Sequence, residues 1–318
     1  MFEPKPLFKE RIRKLLNDET EKFFEYCNKP VNDWIRCNTL KITPEKLAEK
    51  LKLKWRIEQP FRQNPEIIKI VSKADGSRRS PGEIGKSREH LLGYFYIQEL
   101  SSMMPVIALN PDKSEAVLDL CASPGSKTTQ IAACMQNSGL LVANDVRLDR
   151  VIILNSNFER CGVTNNIVTR EDGARLCEKF AKMHLKFDKI LVDAPCSGEG
   201  TATDNPKLFL MWNIKMIGNF SRQQKRLAAN AVSILKENGS LVYSTCTLAP
   251  EENEEVIQFL LDNFNVKVEK LELPVKTRKG ISEWNGRQFS KDIENCCRIY
   301  PQDNDSEGFF VAKIRKLG

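Results

Sequence analysis

The chain has 318 residues, of which 41% are hydrophobic and 29% are charged, as is typical of a globular protein with about two domains. No run of about 18 apolar residues occurs, which argues against a transmembrane helix. The first residues, MFEPKPLFKERIRK, lack the apolar core of a signal peptide. We therefore expect a cytoplasmic protein that does not bind membranes, and we expect it to be a monomer.

The formal net charge of +7 lies entirely in the N-terminal part of the chain. Residues 1–90 contain 21 Lys and Arg against 14 Asp and Glu, whereas residues 91–318 contain 28 of each kind. A basic region favours an anionic polymer as partner, because neutralised phosphates release their counterions. A lysine-rich surface that is only solvated has the same composition, so charge alone leaves both interpretations open.

The first 90 residues are predicted to form an α+β lobe. Segments with helical spacing or a helix-start signal are Lys5–Leu16, Thr20–Tyr26 and Thr43 to about Leu51. Strands are predicted at Asp33–Thr39 and Ile67–Val71. The stretch from Lys73 to Lys86 is rich in Gly, Ser, Arg and Pro, and it is predicted to be a loop with Arg78 and Arg79 exposed.

From Glu115 onward, apolar strands alternate with helices. The predicted strands are Ala116–Leu120, Leu140–Asn144, Ile167–Thr169, Phe187–Asp193 and Gly239–Thr245. The predicted helices are Ser126 to about Met135, Arg147–Cys161, Ser221–Leu235 and Pro250–Phe264. This alternation indicates an α/β fold with a mostly parallel sheet covered on both faces. Val266–Leu271 and Phe309–Ile314 are predicted to form an antiparallel hairpin at its edge.

The ten cysteines do not indicate a metal site. No C-x-x-C pair occurs and the chain has two histidines, whereas zinc sites use four Cys or His ligands in close pairs. Disulfides are not expected in a cytoplasmic protein. Most of the cysteines are therefore predicted to be small buried residues.

A ligand-binding loop is predicted after the first strand of the α/β region, in the sequence VLDLCASPGSKTT. Gly125 lets the backbone approach a ligand, and the next helix offers free N–H groups to an anion. Lys127 is similar to a phosphate-binding lysine, but Ser126 stands where a P-loop requires glycine, and G-x-G-x-x-G is absent. Neither a nucleoside triphosphate nor NAD fits this loop.

Carboxylates follow the next two strands. Asp145 is at the usual position of an acceptor for ribose hydroxyls, and Glu171 and Asp172 are placed to accept from an adenine amino group. Each of them alone is more often a capping or solvated residue. Their position at successive strand ends favours an adenosine-containing ligand without a triphosphate, of which S-adenosylmethionine is the common one.

Two cysteines follow the last two parallel strands, Cys196 in DAPCSG and Cys246 in STCT. Adjacent strands would bring both thiols to the edge that holds the ligand loop, and a polar loop gives a thiolate the exposure it needs. Asp193, at the end of an apolar strand, requires a partner. A nucleophilic thiol, a nearby acid and a second group for release are what methylation of cytosine at carbon 5 requires.

Several motifs together resemble the Sun-type RNA (cytosine-5) methyltransferases, in particular the transfer-RNA members. The matching segments are Arg36–Leu40 (RCNTL), Gly93–Pro105 (GYFYIQELSSMMP), Cys121–Gln130 (CASPGSKTTQ), Asp193–Gly198 (DAPCSG), Ser244–Thr247 (STCT) and Pro250–Glu254 (PEENE). The resemblance implies a Rossmann-like, S-adenosylmethionine-dependent catalytic domain over residues 91–318 and a smaller RNA-binding lobe over residues 1–90.

The resemblance also implies roles for individual residues. Cys246 becomes the nucleophile, Cys196 assists product release, and Asp193 is the third catalytic residue. The implied cofactor-binding residues are Cys121, Ala122, Ser123, Pro124, Gly125, Ser126, Lys127, Asp145, Arg150, Asp172 and Asp193. Ser123 and Ser126 depart from the common family pattern, but both are small and keep the loop intact.

The expected substrate is RNA, with tRNA favoured and rRNA as the alternative. A non-catalytic RNA-binding assembly factor with the same fold is a second alternative, although all of the catalytic and cofactor residues are present. A small-molecule methyltransferase is a third, but it would leave the basic lobe without a role.

Overall fold

The computed structural model of the chain describes residues 3–29, 33–203, 205 and 207–318. The helices are α1 (Pro6–Leu16), α2 (Thr20–Cys27), α3 (Pro44–Lys52), α4 (Arg88–Leu91), α5 (Leu100–Leu109), α6 (Ser126–Cys134), α7 (Leu148–Cys161), α8 (Gly173–Lys182), α9 (Leu208–Met211), α10 (Ile214–Ser233), α11 (Glu254–Asn263) and α12 (Pro301–Asn304). Short 3-10 helices lie at Asn17–Glu19, Glu199–Thr203 and Lys291–Asn295.

The strands are β1 (Asp33–Cys37), β2 (Trp55–Glu58), β3 (Ile67–Lys73), β4 (Phe95–Ile97), β5 (Ala116–Asp119), β6 (Leu140–Asn144), β7 (Asn166–Thr169), β8 (Phe187–Asp193), β9 (Leu235–Thr245), β10 (Val266–Glu269), β11 (Arg278–Lys279), β12 (Glu283–Trp284), β13 (Arg287–Gln288), β14 (Cys297–Ile299) and β15 (Phe309–Lys316). Each of the nine predicted strands is confirmed, with shifts of a few residues at their ends. The sequence pattern missed β2, β4, β14 and the three two-residue strands β11, β12 and β13.

The N-terminal sheet is antiparallel and has the order β2-β3-β1-β4. Its apolar face packs on α3, where Ile35 and Ile68 of the sheet share a buried cluster with Leu47. Helix α3 begins as predicted, because the Thr43 side chain accepts a hydrogen bond from the N–H of Lys46. Sheet and helix together form the α+β layer expected in the first third of the chain.

The larger sheet has the order β11-β14-β15-β9-β8-β5-β6-β7, with β10 also paired to β15. Strands β5 to β9 run parallel to one another, and β9 is antiparallel to β15 on its other side. Separate apolar clusters cover the two faces, one around Tyr243 and Ile190 and the other around Leu191 and Val242. The predicted α/β, Rossmann-like fold is confirmed, and the carboxyl ends of five strands meet at one edge.

The final strands differ from the prediction in one respect. Strand β10 pairs with β15 in antiparallel fashion, as expected. However, β15 also pairs with β9 and β14, so it lies inside the sheet and not at its edge. An edge strand would leave one row of backbone N–H and C=O groups unpaired, whereas β15 is paired along both sides. The consecutive residues Phe309, Phe310 and Val311 are all buried, so both of its faces are covered as well.

Helices α1 and α2 pack outside the N-terminal sheet. Phe8 of α1 makes edge contacts with Phe209 and Trp212, within a cluster that joins these helices to residues 202–217. The Arg11 guanidinium donates to both oxygens of Glu251, at 2.9 and 2.7 Å. The first helices are therefore anchored beside the loops that follow β8 and β9. Within the part of the chain that is described, no helix is long and apolar enough to cross a bilayer.

Candidate functional site

The loop after β5 is clamped between two neighbouring elements. The N–H of Ala122 donates to the carbonyl oxygen of Asn144 at 2.8 Å, and the Asn144 side chain returns a bond to the carbonyl of Leu120 at 3.1 Å. Gly125 has a φ of +104°, and a Cβ there would lie 3.0 Å from Leu154 Cδ1. Both the backbone conformation and the close helix α7 thus require glycine at this position.

Asp193 has the partners that its position demanded. Its Oδ2 lies 2.8 Å from Lys127 Nζ, and its Oδ1 accepts from the Ser244 hydroxyl at 2.8 Å. Lys127 is buried and also donates to Ser102 Oγ at 2.8 Å. This lysine is therefore committed to orienting a carboxylate, which explains why it does not belong to a phosphate-binding loop.

The two motif cysteines lie together, with Cys196 Sγ 3.2 Å from Cys246 Sγ. Both are partly exposed and free, whereas six of the other eight cysteines are buried, as the sequence analysis predicted for most of them. The hydrogen bond to Cys246, followed by burial, raises the pKa of the Cys196 thiol well above its ordinary value. Cys196 is therefore a neutral thiol at physiological pH.

Residues of the PEENE segment hold the two cysteine loops in place. The N–H of Ser197 donates to Glu252 Oε2 at 3.0 Å, and the Ser197 hydroxyl lies 2.8 Å from the Thr247 hydroxyl. Asn253 donates to the Thr247 carbonyl at 3.0 Å. Burial raises the pKa of Glu252 to about 7. In the sequence this segment is recognisable only as a matching motif, because its bridging role depends on contacts that the sequence does not reveal.

A cavity of about 240 Å³ opens at this edge of the sheet. Of the predicted site residues, those that line it are Cys121, Ala122, Ser123, Pro124, Ser126, Lys127, Asp193 and Cys246. Lining residues that were not predicted as site residues are Glu99, Ser102, Asp119, Ala194, Thr201, Glu307 and Phe309. Glu99 and Ser102 belong to the GYFYIQELSSMMP segment, which was the available signal for them.

Asp119 provides a test of whether this cavity suits S-adenosylmethionine. Its Oδ2 accepts from the Thr128 hydroxyl at 2.6 Å, whereas its Oδ1 is buried with no hydrogen-bond partner among the described residues. Burial, and then the nearby Asp193, raise the pKa of Asp119 to about 7. An unpaired carboxylate oxygen at the cavity wall suits a ligand with a cationic amine, and S-adenosylmethionine carries one. The residues that line the cavity therefore fit this cofactor.

The predicted ribose and adenine acceptors lie beside the cavity and not in its wall. Asp145 is 3% exposed, and its Oδ2 is 3.5 Å from Arg150 Nε. Arg150 also exchanges hydrogen bonds with Ser123 of the loop. Asp172 caps α8 and pairs with Arg226 at 2.6 Å. Asp145 and Arg150 are thus joined to the loop, while Asp172 already has two partners of its own.

Replacement of Asp145 by alanine is expected to weaken binding of S-adenosylmethionine by roughly 1–3 kcal/mol, the cost of leaving buried hydroxyls without a charged acceptor. Isothermal titration calorimetry measures this loss. Asp149→Ala is the matched control, since Asp149 is a nearby carboxylate with a 62% exposed side chain. Equal affinity in the two variants would mean that Asp145 does not contact the ligand.

The chain matches two family descriptions over nearly its whole length. Residues 106–315 match "16S rRNA methyltransferase RsmB/F", and residues 5–100 match the "N-terminal domain of 16S rRNA methyltransferase RsmF". The first match covers the sheet and the cavity. The boundary between the two matches lies within α5.

Two relatives illustrate the similarity in sequence. The chain is 43% identical over 310 residues to a tRNA (cytosine(49)-C(5))-methyltransferase of Pyrococcus abyssi, with 96% of this chain and 94% of that protein aligned. It is 40% identical over 320 residues to ribosomal RNA small subunit methyltransferase F of Vibrio cholerae, with 99% of this chain aligned. The chain spans 64% of the length of the Vibrio protein.

Solved structures agree with these matches. A methyltransferase homologue from Pyrococcus horikoshii superposes with a TM-score of 0.85 at 36% identity, covering 98% of this chain and 95% of that one. NSun6 from the same organism, solved with SFG, gives a TM-score of 0.81 at 26% identity and covers 99% and 98% of the two chains. The chain therefore belongs to the RsmB/F, or Sun-type, family of RNA (cytosine-5) methyltransferases.

Proposed function

We propose that this protein methylates carbon 5 of a cytosine in tRNA, with Cys246 as nucleophile and Cys196 as the residue that assists release. The observation that carries the proposal is the 3.2 Å separation of the two thiols, with Cys246 in the wall of the cavity that also contains Asp193. S-adenosylmethionine supplies the methyl group when bound. We further propose that the protein acts in the cytoplasm and that it is a monomer. Size-exclusion chromatography with light scattering tests the oligomeric state.

The first step is attack of the Cys246 thiolate on carbon 6 of cytosine. The Cys196 sulfur lies 3.2 Å from the Cys246 sulfur. Once Cys246 is a thiolate it can only accept, so a neutral Cys196 thiol donates to it and stabilises the negative charge there. The new S–C6 bond moves electron density onto carbon 5, which is otherwise a poor nucleophile. Asp193, oriented by Lys127 and Ser244, stabilises the adduct from the side of ring nitrogen 3.

Release requires loss of the carbon 5 proton and cleavage of the S–C6 bond. Carbon 5 takes the methyl group, its proton passes to a base, and the electron pair of the C5–H bond re-forms the ring double bond as the Cys246 thiolate leaves. Once Cys246 is bound to carbon 6, the Cys196 thiol gives its own proton to solvent water. The resulting Cys196 thiolate, whose sulfur lies 3.2 Å from the Cys246 sulfur, then takes the carbon 5 proton.

The preference for tRNA is supported by the extent of similarity. The tRNA relative is 43% identical to this chain over 310 residues, whereas the ribosomal relative is 40% identical over 320 residues. Ribosomal RNA is the second candidate, because both matching family descriptions name 16S rRNA methyltransferases. Transfer of a tritium-labelled methyl group to unmodified tRNA and to small-subunit rRNA separates the two. Bisulfite sequencing of RNA from cells with and without the gene then locates the cytosine.

The proposed RNA-binding role of the N-terminal lobe requires a correction to the loop from Lys73 to Lys86. Arg78 is exposed, as predicted. Arg79 is not, because its guanidinium pairs with Asp33 and only 14% of its side chain is exposed. Arg78 is therefore the better test of phosphate binding in this loop, and Arg79 is a structural contact between the loop and β1.

Replacement of Arg78 by glutamine is expected to lower RNA affinity and to reduce the slope of log affinity against log salt by about 0.7–0.9, the value for one lost phosphate contact. Affinity for S-adenosylmethionine should not change. Filter binding of RNA at several salt concentrations measures the RNA affinity and its salt slope. Lys186→Gln is the control, since Lys186 is exposed just before β8, at the opposite edge of the sheet. An unaltered slope for Arg78→Gln would place the RNA path away from this loop.

A further inference from the structure

Helix α9 exposes two large apolar side chains at the edge of the catalytic site. Leu210 is 54% exposed and Met211 is 69% exposed. The residues on either side of this pair are buried: Leu208 and Phe209 before it and Trp212 after it. The buried side chains of Leu208, Phe209 and Trp212 already fill the apolar cluster beneath α9. Leu210 and Met211 are therefore not needed for the packing of this cluster.

The position of this pair follows from contacts with both cysteine loops. Leu208 Cδ1 lies 3.9 Å from the place where a Cβ would stand on Gly198, two residues after Cys196. The N–H of Gly200 donates to the carbonyl oxygen of Cys246 at 2.9 Å. Thr201, at the start of the same connection, lines the cavity. Helix α9, which carries the exposed Leu210 and Met211, therefore lies beside both cysteine loops, next to the catalytic cavity.

The backbone that presents the pair is fixed. Trp212 Nε1 donates to the buried Glu199 carboxylate at 2.8 Å. From the other side, Lys5 Nζ of the N-terminal segment donates to the carbonyl oxygen of Trp212 at 2.7 Å. These bonds and the edge contact between Phe8 and Trp212 hold α9 from beneath. These contacts hold Leu210 and Met211 in their exposed positions on the surface.

The surroundings of the pair are positively charged. Residues 205–236 contain no Asp or Glu and six Lys and Arg. Lys207, Lys215 and Arg222 are exposed, and none of the three forms an ion pair with a carboxylate among the described residues. Apolar side chains on a segment whose exposed cations have no carboxylate partner among the described residues suit a partner that carries both flat apolar faces and negative charges.

We propose that this surface, the α9 rim formed by Leu210, Met211, Lys207, Lys215 and Arg222, contacts the nucleotides next to the target cytosine. The inference rests on the proposed function. A cytosine must leave its stack to reach Cys246, which costs a few kcal/mol. Apolar side chains that pack against the exposed neighbouring bases offset this cost, and the cations bind the adjoining phosphates.

Two variants separate the two parts of the proposal. Leu210→Ser/Met211→Ser is expected to slow single-turnover methyl transfer to saturating tRNA by about tenfold, since the loss falls on the unstacked state. Lys215→Gln/Arg222→Gln is expected to weaken tRNA binding and to lower the salt slope by about 0.7–0.9 per lost contact. Neither variant should change S-adenosylmethionine affinity or the melting temperature.

The matched control is Met183→Ser. Met183 is 64% exposed, but it lies between α8 and β8, at the sheet edge opposite the cavity. Its replacement should leave transfer and binding as they are. The rim proposal is overturned if both rim variants transfer methyl groups and bind tRNA as well as the unaltered protein does. It is also overturned if Met183→Ser reduces methyl transfer or tRNA binding as much as the rim variants do. If the unaltered protein itself transfers no methyl group to RNA, the proposed function fails first, and the rim proposal fails with it.

Discussion

Replacement of Cys246 by alanine is expected to reduce methyl transfer to RNA by roughly 10⁴-fold or more, the scale of loss when a covalent enzyme is deprived of its nucleophile. Affinity for S-adenosylmethionine should be retained. The reason is geometric, since the loop from Cys121 to Lys127 is held by Asn144 and Arg150 and not by the Cys246 side chain. The Cys246 thiol is therefore not needed to hold the loop that binds the cofactor.

Two measurements on one preparation test this expectation. A tritium-methyl assay reports turnover, and calorimetry reports cofactor binding. Cys134→Ala is the control, because Cys134 is an exposed cysteine at the end of α6 that does not line the catalytic cavity. Substantial turnover by Cys246→Ala would contradict the assignment of the nucleophile and would favour Cys196 in that role.

The catalytic edge was predictable because its signals are local. Each candidate residue directly follows a short apolar strand, and parallel strands bring such positions together. The sequence therefore predicted that Cys196 and Cys246 would meet, and the distance between their sulfur atoms is 3.2 Å. The requirement that Asp193 have a partner followed from burial alone, and the structure supplies Lys127.

The sequence pattern failed to predict helices, or parts of helices, whose apolar residues do not recur with the helical period. Helix α5 (Leu100–Leu109) has eight of its ten residues buried and contains Pro105, so neither an amphipathic pattern nor helix propensity indicated it. Helix α10 begins at Ile214 and not at Ser221. Its first two turns include Gly218 and exposed Lys215 and Asn219, which obscure the buried stripe.

Long-range contacts lay beyond the reach of the sequence for another reason. Arg36 was recognised only as part of a motif. In the structure it is buried and donates to the Ser126 carbonyl at 2.7 Å and to Thr129 Oγ1 at 2.9 Å. Asn38 donates to the Cys161 carbonyl at 2.7 Å. The motif thus fixes the N-terminal sheet against α6 and α7, and no local pattern reveals partners that are 90 or more residues away.

Replacement of Cys196 by alanine is expected to trap RNA on the protein through Cys246. Attack and methyl transfer need the Cys246 thiolate, whereas release needs a base for the carbon 5 proton. Without that base the S–C6 bond persists after the methyl group has been transferred. A denaturing gel of Cys196→Ala incubated with RNA and S-adenosylmethionine should therefore show a slowly migrating protein–RNA band that the unaltered protein does not accumulate.

The origin of the band is tested by removing the second thiol. Cys196→Ala/Cys246→Ala should give no band, because the bond to RNA is formed by the Cys246 sulfur. The single variant also lacks the thiol that lies 3.2 Å from that sulfur and would donate to the Cys246 thiolate. The band should therefore form more slowly than one turnover of the unaltered protein, but it should accumulate because release is slowed further. Normal turnover without a band would make Cys196 a structural neighbour of the nucleophile. A band that survives in the double variant would place the covalent bond on another residue.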